Sequence, residues 1–116
     1  MGQSTIGLGP VRVTVARSFM SRLVGLLGRR ALGADQGLLL LPCNNVHTFF
    51  MRFAIDVVFI DREGLVLAVV PQLGPWRVAA ARRAHACLEL AAGTADRLSL
   101  APGQRIPQLL GLGRAA

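Results

Sequence analysis

The chain has 116 residues, 53% of them hydrophobic, and a formal net charge of +7 carried by 13 arginines without a lysine. That length suits one domain with one core, and the apolar runs are broken by Arg, Asp or Gly well before the roughly 18 residues that a membrane-spanning helix needs. Residues 1–10 lack a basic segment followed by an apolar one, so no secretory leader is expected and a cytoplasmic protein is.

Residues 1–10 read as an N-terminal extension ahead of a single globular domain over 11–107. Val11, Val13 and Val15 alternate with Arg12 and Thr14, the period of a half-buried strand. Ser18 then offers an N-cap. Phe19, Leu23, Leu26 and Leu27 recur at helical spacing while Arg22 and Arg29 share another face, so the principal helix is expected over about 18–29. Gly28 or Gly33 marks its end. The apolar run 38–41 is too short for an independent helix and is flanked by Gly37 and Pro42, which makes it a strand. Pro42, Cys43, Asn44 and Asn45 form a turn, and 46–51 resumes as a strand.

Two further strands, 55–60 and 65–70, flank Asp61-Arg62-Glu63-Gly64, which has the Asp-first, Gly-last composition of a type I turn. Both are apolar on both faces, as in the interior of a sheet or a small closed barrel. Residues 71–81 form a loop, punctuated by Pro71, Gly74 and Pro75, that presents Trp76 and Arg77. A lone Trp in such a loop either plugs the core edge or walls a binding surface. A strand at 85–90 follows, then a short helical turn near 94–98 opened by Gly93 and Thr94. Pro102-Gly103 turns into a last strand at Arg105 and Ile106, and 108–116 form a tail. The sum is an α+β, mainly β fold: a small antiparallel or mixed sheet curled toward a barrel, with one principal helix.

The segment 46–61 carries the strongest functional signal, because His47, Arg52 and Asp56 interrupt a run otherwise composed for burial. Ionisable groups in such a place need partners, since an unpaired buried charge costs several kcal/mol. If Arg52-Phe53-Ala54 reverses tightly, Met51 faces Ile55 and His47 approaches the Asp61 end of the next strand; if the chain runs straight, His47 and Asp56 fall on opposite faces. In either register Arg22 and Arg29 are positioned to approach Asp56 or Glu89. A bland role for Asp56 is fixing the register of the fold through Arg52, Arg22 or backbone donors.

Several sequence features together resemble the small bacterial and archaeal family called uncharacterised ACR, domain of unknown function 192. They are Ala16-Arg17, the 22–26 segment, Gly37-Leu38-Leu39, the run His47-Thr48-Phe49-Phe50-Met51 with 55–61, Leu88-Glu89-Leu90 with Gly93, and Pro102-Gly103. The resemblance spans about 13–106. It implies a mostly β domain with one principal helix and supplies no established activity. The family often has an acidic residue where this chain has Gln104, so no carboxylate role carries over to that position.

The functional reading is a binding or accessory module with a site around His47, Thr48, Met51, Asp56 and Trp76, and with Arg22 or Arg77 supplying charge. Its partner would be an anionic or polar small molecule or a protein. Nucleic acid is disfavoured, because the arginines are spread from Arg12 to Arg114 without a recognised motif. No cofactor is expected, and a monomer or weak homodimer is. The catalytic alternative is a small hydrolase or lyase with His47 as general acid or base, oriented by Asp56 or Asp61. A minor alternative uses every Cys and His, with Cys43, His47, His85 and Cys87 as a tetrahedral zinc set.

Overall fold

Period-two alternation at Val11, Val13 and Val15 and short apolar, β-branched runs further along the chain make strands. The computed structural model describes residues 4–17, 32–49 and 51–109. The strands β1 (Ser4–Leu8), β2 (Val11–Ala16), β3 (Gln36–Leu40), β5 (Ile55–Ile60), β6 (Val66–Leu73) and β8 (Ala86–Ala91) form one mixed sheet in the order β1-β2-β3-β8-β5-β6. Strands β4 (Asn45–His47) and β7 (Val78–Ala80) pair with each other in a separate ribbon. A four-residue helix, α1 (Thr94–Arg97), and a 3-10 turn over Pro107–Leu109 complete the described elements.

Strands β2 and β3 are parallel, whereas their neighbours are antiparallel. A parallel pair needs a crossover connection of about a dozen residues or more, and residues 17–35 supply its length. The expected principal helix at 18–29 falls in this connection and lies outside the described residues, as do Arg22 and Arg29.

Both faces of the sheet are apolar. One carries Val11, Val13, Val15, Leu39, Val58, Ile60, Leu88 and Leu90, joined by Ala95 from α1 and by Ile106 and Leu109 from the C-terminal segment. The other carries Leu38, Leu40, Ile55, Val57, Phe59 and Cys87, covered in part by Val46 and Ala79 of the β4–β7 ribbon and by Met51. Strands β5 and β8, sandwiched between two neighbours and two packed layers, are buried along almost their whole length. This is why their sequences, Asp56 and Glu89 apart, are apolar on both faces rather than alternating.

The hairpin forms as the turn chemistry requires. Asp61 accepts hydrogen bonds at Oδ1 from the Glu63 and Leu65 amides, at 2.8 and 3.0 Å, and its carbonyl accepts from Gly64, whose φ of 79° suits glycine. Sequence places both hairpin strands inside the sheet, and that holds for β5 alone. Strand β6 is at the edge, where Pro71 is tolerated because no ladder donor is needed on the open side. Residues 103–106 cover the start of that edge: the Val66 amide donates to the Gln104 carbonyl, and the Gly103 amide to the Val66 carbonyl. From there the 3-10 turn packs against β1, so the sheet curls toward closure without becoming a barrel.

Several boundaries differ from the sequence reading, and the strand expected over 46–51 ends at His47. Residues 4–8, placed in the N-terminal extension, are strand β1, which returns onto β2 through Gly9-Pro10 with Gly9 at φ 59°. The supposed loop 71–81 holds the end of β6 and all of β7. The last strand shrinks to a single bridge between Leu65 and Arg105. Leu109, assigned to the tail, is buried.

Gly37 shows how tight the β2-β3-β8 junction is. A Cβ there would lie 3.0 Å from Leu90 Cδ2, 3.2 Å from Val13 Cγ2 and 3.3 Å from Val11 Cγ1. Overpacking at a closed junction costs about 1–3 kcal/mol. Gly37→Ala should therefore lower the urea unfolding midpoint by a corresponding amount without changing the slope; an unchanged midpoint would show that the junction yields.

Candidate functional site

Neither register considered from the sequence describes the 46–61 segment. Strand β4 does not pair with β5; it pairs with β7, placing His47 opposite Val78 and Val46 opposite Ala79. Alternation then turns Val46 and Thr48 inward and His47 outward, with Phe49 half-buried beside it.

Thr48 is the fastener of this surface. Its hydroxyl donates to the Gly74 carbonyl at 2.6 Å and accepts from the Arg77 amide at 2.9 Å. Its backbone amide donates to the Arg77 carbonyl, and its carbonyl accepts from the Trp76 amide. One buried threonine thus satisfies most of the polar backbone of 74–77, which would otherwise be a solvated loop. The loop is held with Trp76 at φ 62°, a conformation that bulky residues rarely adopt.

The held loop displays an aromatic row. His47 stacks on Phe49 with ring centroids 4.7 Å apart, and Phe49 stacks on Trp76 at 5.6 Å. Trp76 is 59% exposed and Val78 62% exposed, the only large hydrophobic side chains so exposed among the described residues. Arg77 and Arg52 are exposed on the same two segments.

Asp56 and Met51, expected to belong with His47, lie inside instead. Asp56 is fully buried, and both of its carboxylate oxygens accept backbone donors at 2.8 Å: Oδ1 from Gln72 near the end of β6, Oδ2 from Ala95 in the first turn of α1. Gly93, the N-cap of α1, supplies no side-chain cap, so Asp56 serves the helix end from a distant strand. Its role is architectural. Each buried backbone donor left without an acceptor costs about 1–3 kcal/mol. Asp56→Ala should therefore destabilise the protein by about 2–6 kcal/mol in urea unfolding; a loss under about 1 kcal/mol would remove the anchor role.

The Cys and His residues do not make a metal centre. No three Cys, His, Asp or Glu side chains converge among the described residues, so Cys43, His47, His85 and Cys87 form no zinc site. The apparent symmetry of their spacing fails because His47 turns outward on β4 while Cys87 is buried in β8. Cys43 and His85 do line one shallow depression of about 220 Å³ together with Pro42, Asn44 and Ala84. The Cys43 thiol donates to the Asn45 carbonyl at 3.0 Å. Desolvation, then the charges of Arg62 and Arg17, lower the His85 pKa and keep its imidazole neutral at pH 7.

Sequence reasoning gave Glu89 only a pairing role. It sits in the middle of β8 between Leu38 and Val57, on the face of Cys87 and Phe59, with 2% of its surface exposed. Among the described residues its Oε2 has no hydrogen-bond partner. Burial, with a smaller contribution from Cys43, pushes its pKa from 4.5 up to about 8. The folded state therefore holds a proton that the unfolded chain releases above 4.5. Stability should be greatest below that pH and fall by up to about 1.4 kcal/mol per pH unit until about 8. Glu89→Gln should flatten that slope and be more stable than the native protein at pH 8; parallel profiles would refute it.

A mainly β domain with a fastened aromatic display defines the class. The chain belongs to the uncharacterised ACR family, domain of unknown function 192, whose sequence profile matches residues 3–108. Two crystal structures share the fold. A candidate transcription regulator from Sinorhizobium meliloti 1021 is 26% identical, with a TM-score of 0.73 over 82% of this chain and 79% of its own. A protein of unknown function from Novosphingobium aromaticivorans is 23% identical, with a TM-score of 0.68 over 89% and 81%. No curated protein matches the chain.

Proposed function

We propose that the protein is a binding module for an anionic partner and that its working surface is the row His47, Phe49, Trp76 and Val78 with Arg77 beside it. The observation that carries this reading is Trp76, a large apolar side chain held in solvent on a strained backbone. Such strain costs about 1–3 kcal/mol and persists where surrounding contacts impose it, commonly at functional sites. Composition supplies the sign of the partner. Residues 36–55 and 64–88, which contain the whole surface, include four arginines and no Asp or Glu. Trp and Arg side by side are the residues that most often dominate binding energy.

The catalytic reading finds less support. His47 rests against Phe49 on an open surface, and Asp56 spends both oxygens on backbone amides. The Sinorhizobium structure is described as a candidate transcription regulator, an activity of binding rather than turnover. The module is proposed to act in the cytoplasm, as suits two cysteines outside any disulfide, and as a monomer or weak homodimer.

Trp76 is the sole tryptophan, so its emission reports on the surface directly. Titration with heparin, a generic polyanion, should shift that emission. Arg52→Gln with Arg77→Gln should weaken binding several-fold. Trp76→Gly, which suits the left-handed backbone but lacks the fluorophore and is therefore titrated by calorimetry, should weaken binding while changing stability by no more than about 1 kcal/mol. Heparin affinity unaltered by all three substitutions would contradict the reading.

A further inference from the structure

The surface has three properties that narrow the kind of anion it fits. First, its rings are stacked on one another: Phe49 lies against His47 at 4.7 Å and against Trp76 at 5.6 Å. A single-stranded nucleic acid binds by laying bases on open ring faces, one after another. This row leaves no gap for a base between its rings. Second, Val78 is as exposed as Trp76 and directly opposite His47, so an aliphatic side chain extends the aromatic row. An aliphatic group offers little to a nucleobase but much to a hydrocarbon boundary. Third, Trp76 and Val78 are more than half exposed, so they form a ridge rather than line a groove. A ridge of Trp and Val with Arg77 between them in sequence matches a lipid interface, where aromatic rings settle at the headgroup level and arginine stems extend along apolar surface with charged heads in water.

Resting on the binding-surface reading above, we infer that the ridge formed by Trp76 and Val78, with Arg52 and Arg77, docks the protein reversibly on an anionic lipid bilayer surface. A bilayer requires no complementary pocket and no fixed register from its partner. It requires apolar side chains able to enter the interface, cations to meet the phosphates, and no carboxylate to oppose them. Along the sequence, no Asp or Glu stands within the segments 36–55 and 64–88 that carry the ridge. Among the described residues no helix is long and apolar enough to cross a membrane, so the attachment is peripheral. A second copy of the chain is a poor occupant of the same face, because it would bring a like charge to it.

The test uses the full chain and two vesicle preparations, phosphatidylcholine alone and phosphatidylcholine with phosphatidylglycerol in equal parts. The protein should sediment with the second and not the first, with Trp76 emission shifting to the blue, and added salt should release it. Each arginine near an anionic surface contributes about 1 kcal/mol, so Arg77→Gln should reduce partitioning about five-fold. Val78→Asn should reduce it too and lessen the blue shift. A urea midpoint for each variant separates lost binding from lost folding. Absence of partitioning onto anionic vesicles would overturn the inference, as would partitioning insensitive to both substitutions. Heparin binding through Trp76 and Arg77 without vesicle binding overturns the lipid inference and leaves the surface intact. An oligothymidylate that quenches Trp76 where vesicles have no effect reassigns the surface to nucleic acid. Loss of heparin binding dependence on these residues sinks the surface itself.

Discussion

The fold turns on one buried carboxylate. Asp56 lies in the strand with neighbours on both sides, and its two oxygens reach two parts of the chain that no sheet hydrogen bond joins: the end of β6 at Gln72 and the start of α1 at Ala95. A carboxylate without such donors would be intolerable there, since desolvation exceeds what it could recover from the surrounding apolar side chains. With them, it fixes where the edge strand ends. Gln72 adopts φ 51°, and two residues later Gly74 enters the grip of Thr48. The path from core to surface is therefore short: Asp56 sets the end of β6, Thr48 holds 74–77, and the held backbone places Trp76 in solvent.

Two buried acids in adjacent strands behave differently because of what faces them. Asp56 meets amide donors and makes a structural joint. Glu89 is one register step away on the opposite face, between Leu38 and Val57, and has an oxygen with no partner among the described residues. The same side-chain chemistry thus yields an anchor in one case and a proton-holding carboxyl in the other. The difference lies in the geometry of the donors, which composition does not express.

Much of the architecture was legible in the sequence. The hairpin at 55–70 follows from Asp61 and Gly64, whose side chain and conformational freedom dictate a turn locally. The apolar run at 55–60 foretells a central strand, and 85–90 reads as a strand without its central place being marked. What was not legible depends on long-range pairing. That β4 seeks β7 rather than β5 is decided by Thr48 reaching residues 74–77, across 26 positions and more. Val78-Ala79-Ala80 shows no alternation, so nothing local marks it as a strand. The site was half visible: His47, Trp76 and Arg77 belong to the surface, while Asp56, Met51 and Thr48 belong to its support. Phe49, which joins His47 to Trp76, could have been found from its period-two spacing to His47.

The central claim is that the loop bearing Trp76 is part of the folded core's hydrogen-bond network, although its side chains face solvent. Native-state hydrogen exchange at the amides of Gln72, Trp76, Arg77 and Ala95 tests it most directly. All four should exchange only through openings close in free energy to those of the β5 and β8 amides, because Asp56 ties 72 and 95 to β5 and Thr48 ties 76 and 77 to the β4–β7 ribbon packed on that sheet. Exchange of the 72, 76 and 77 amides near the rate of an unprotected chain, with β5 and β8 still protected, would contradict it.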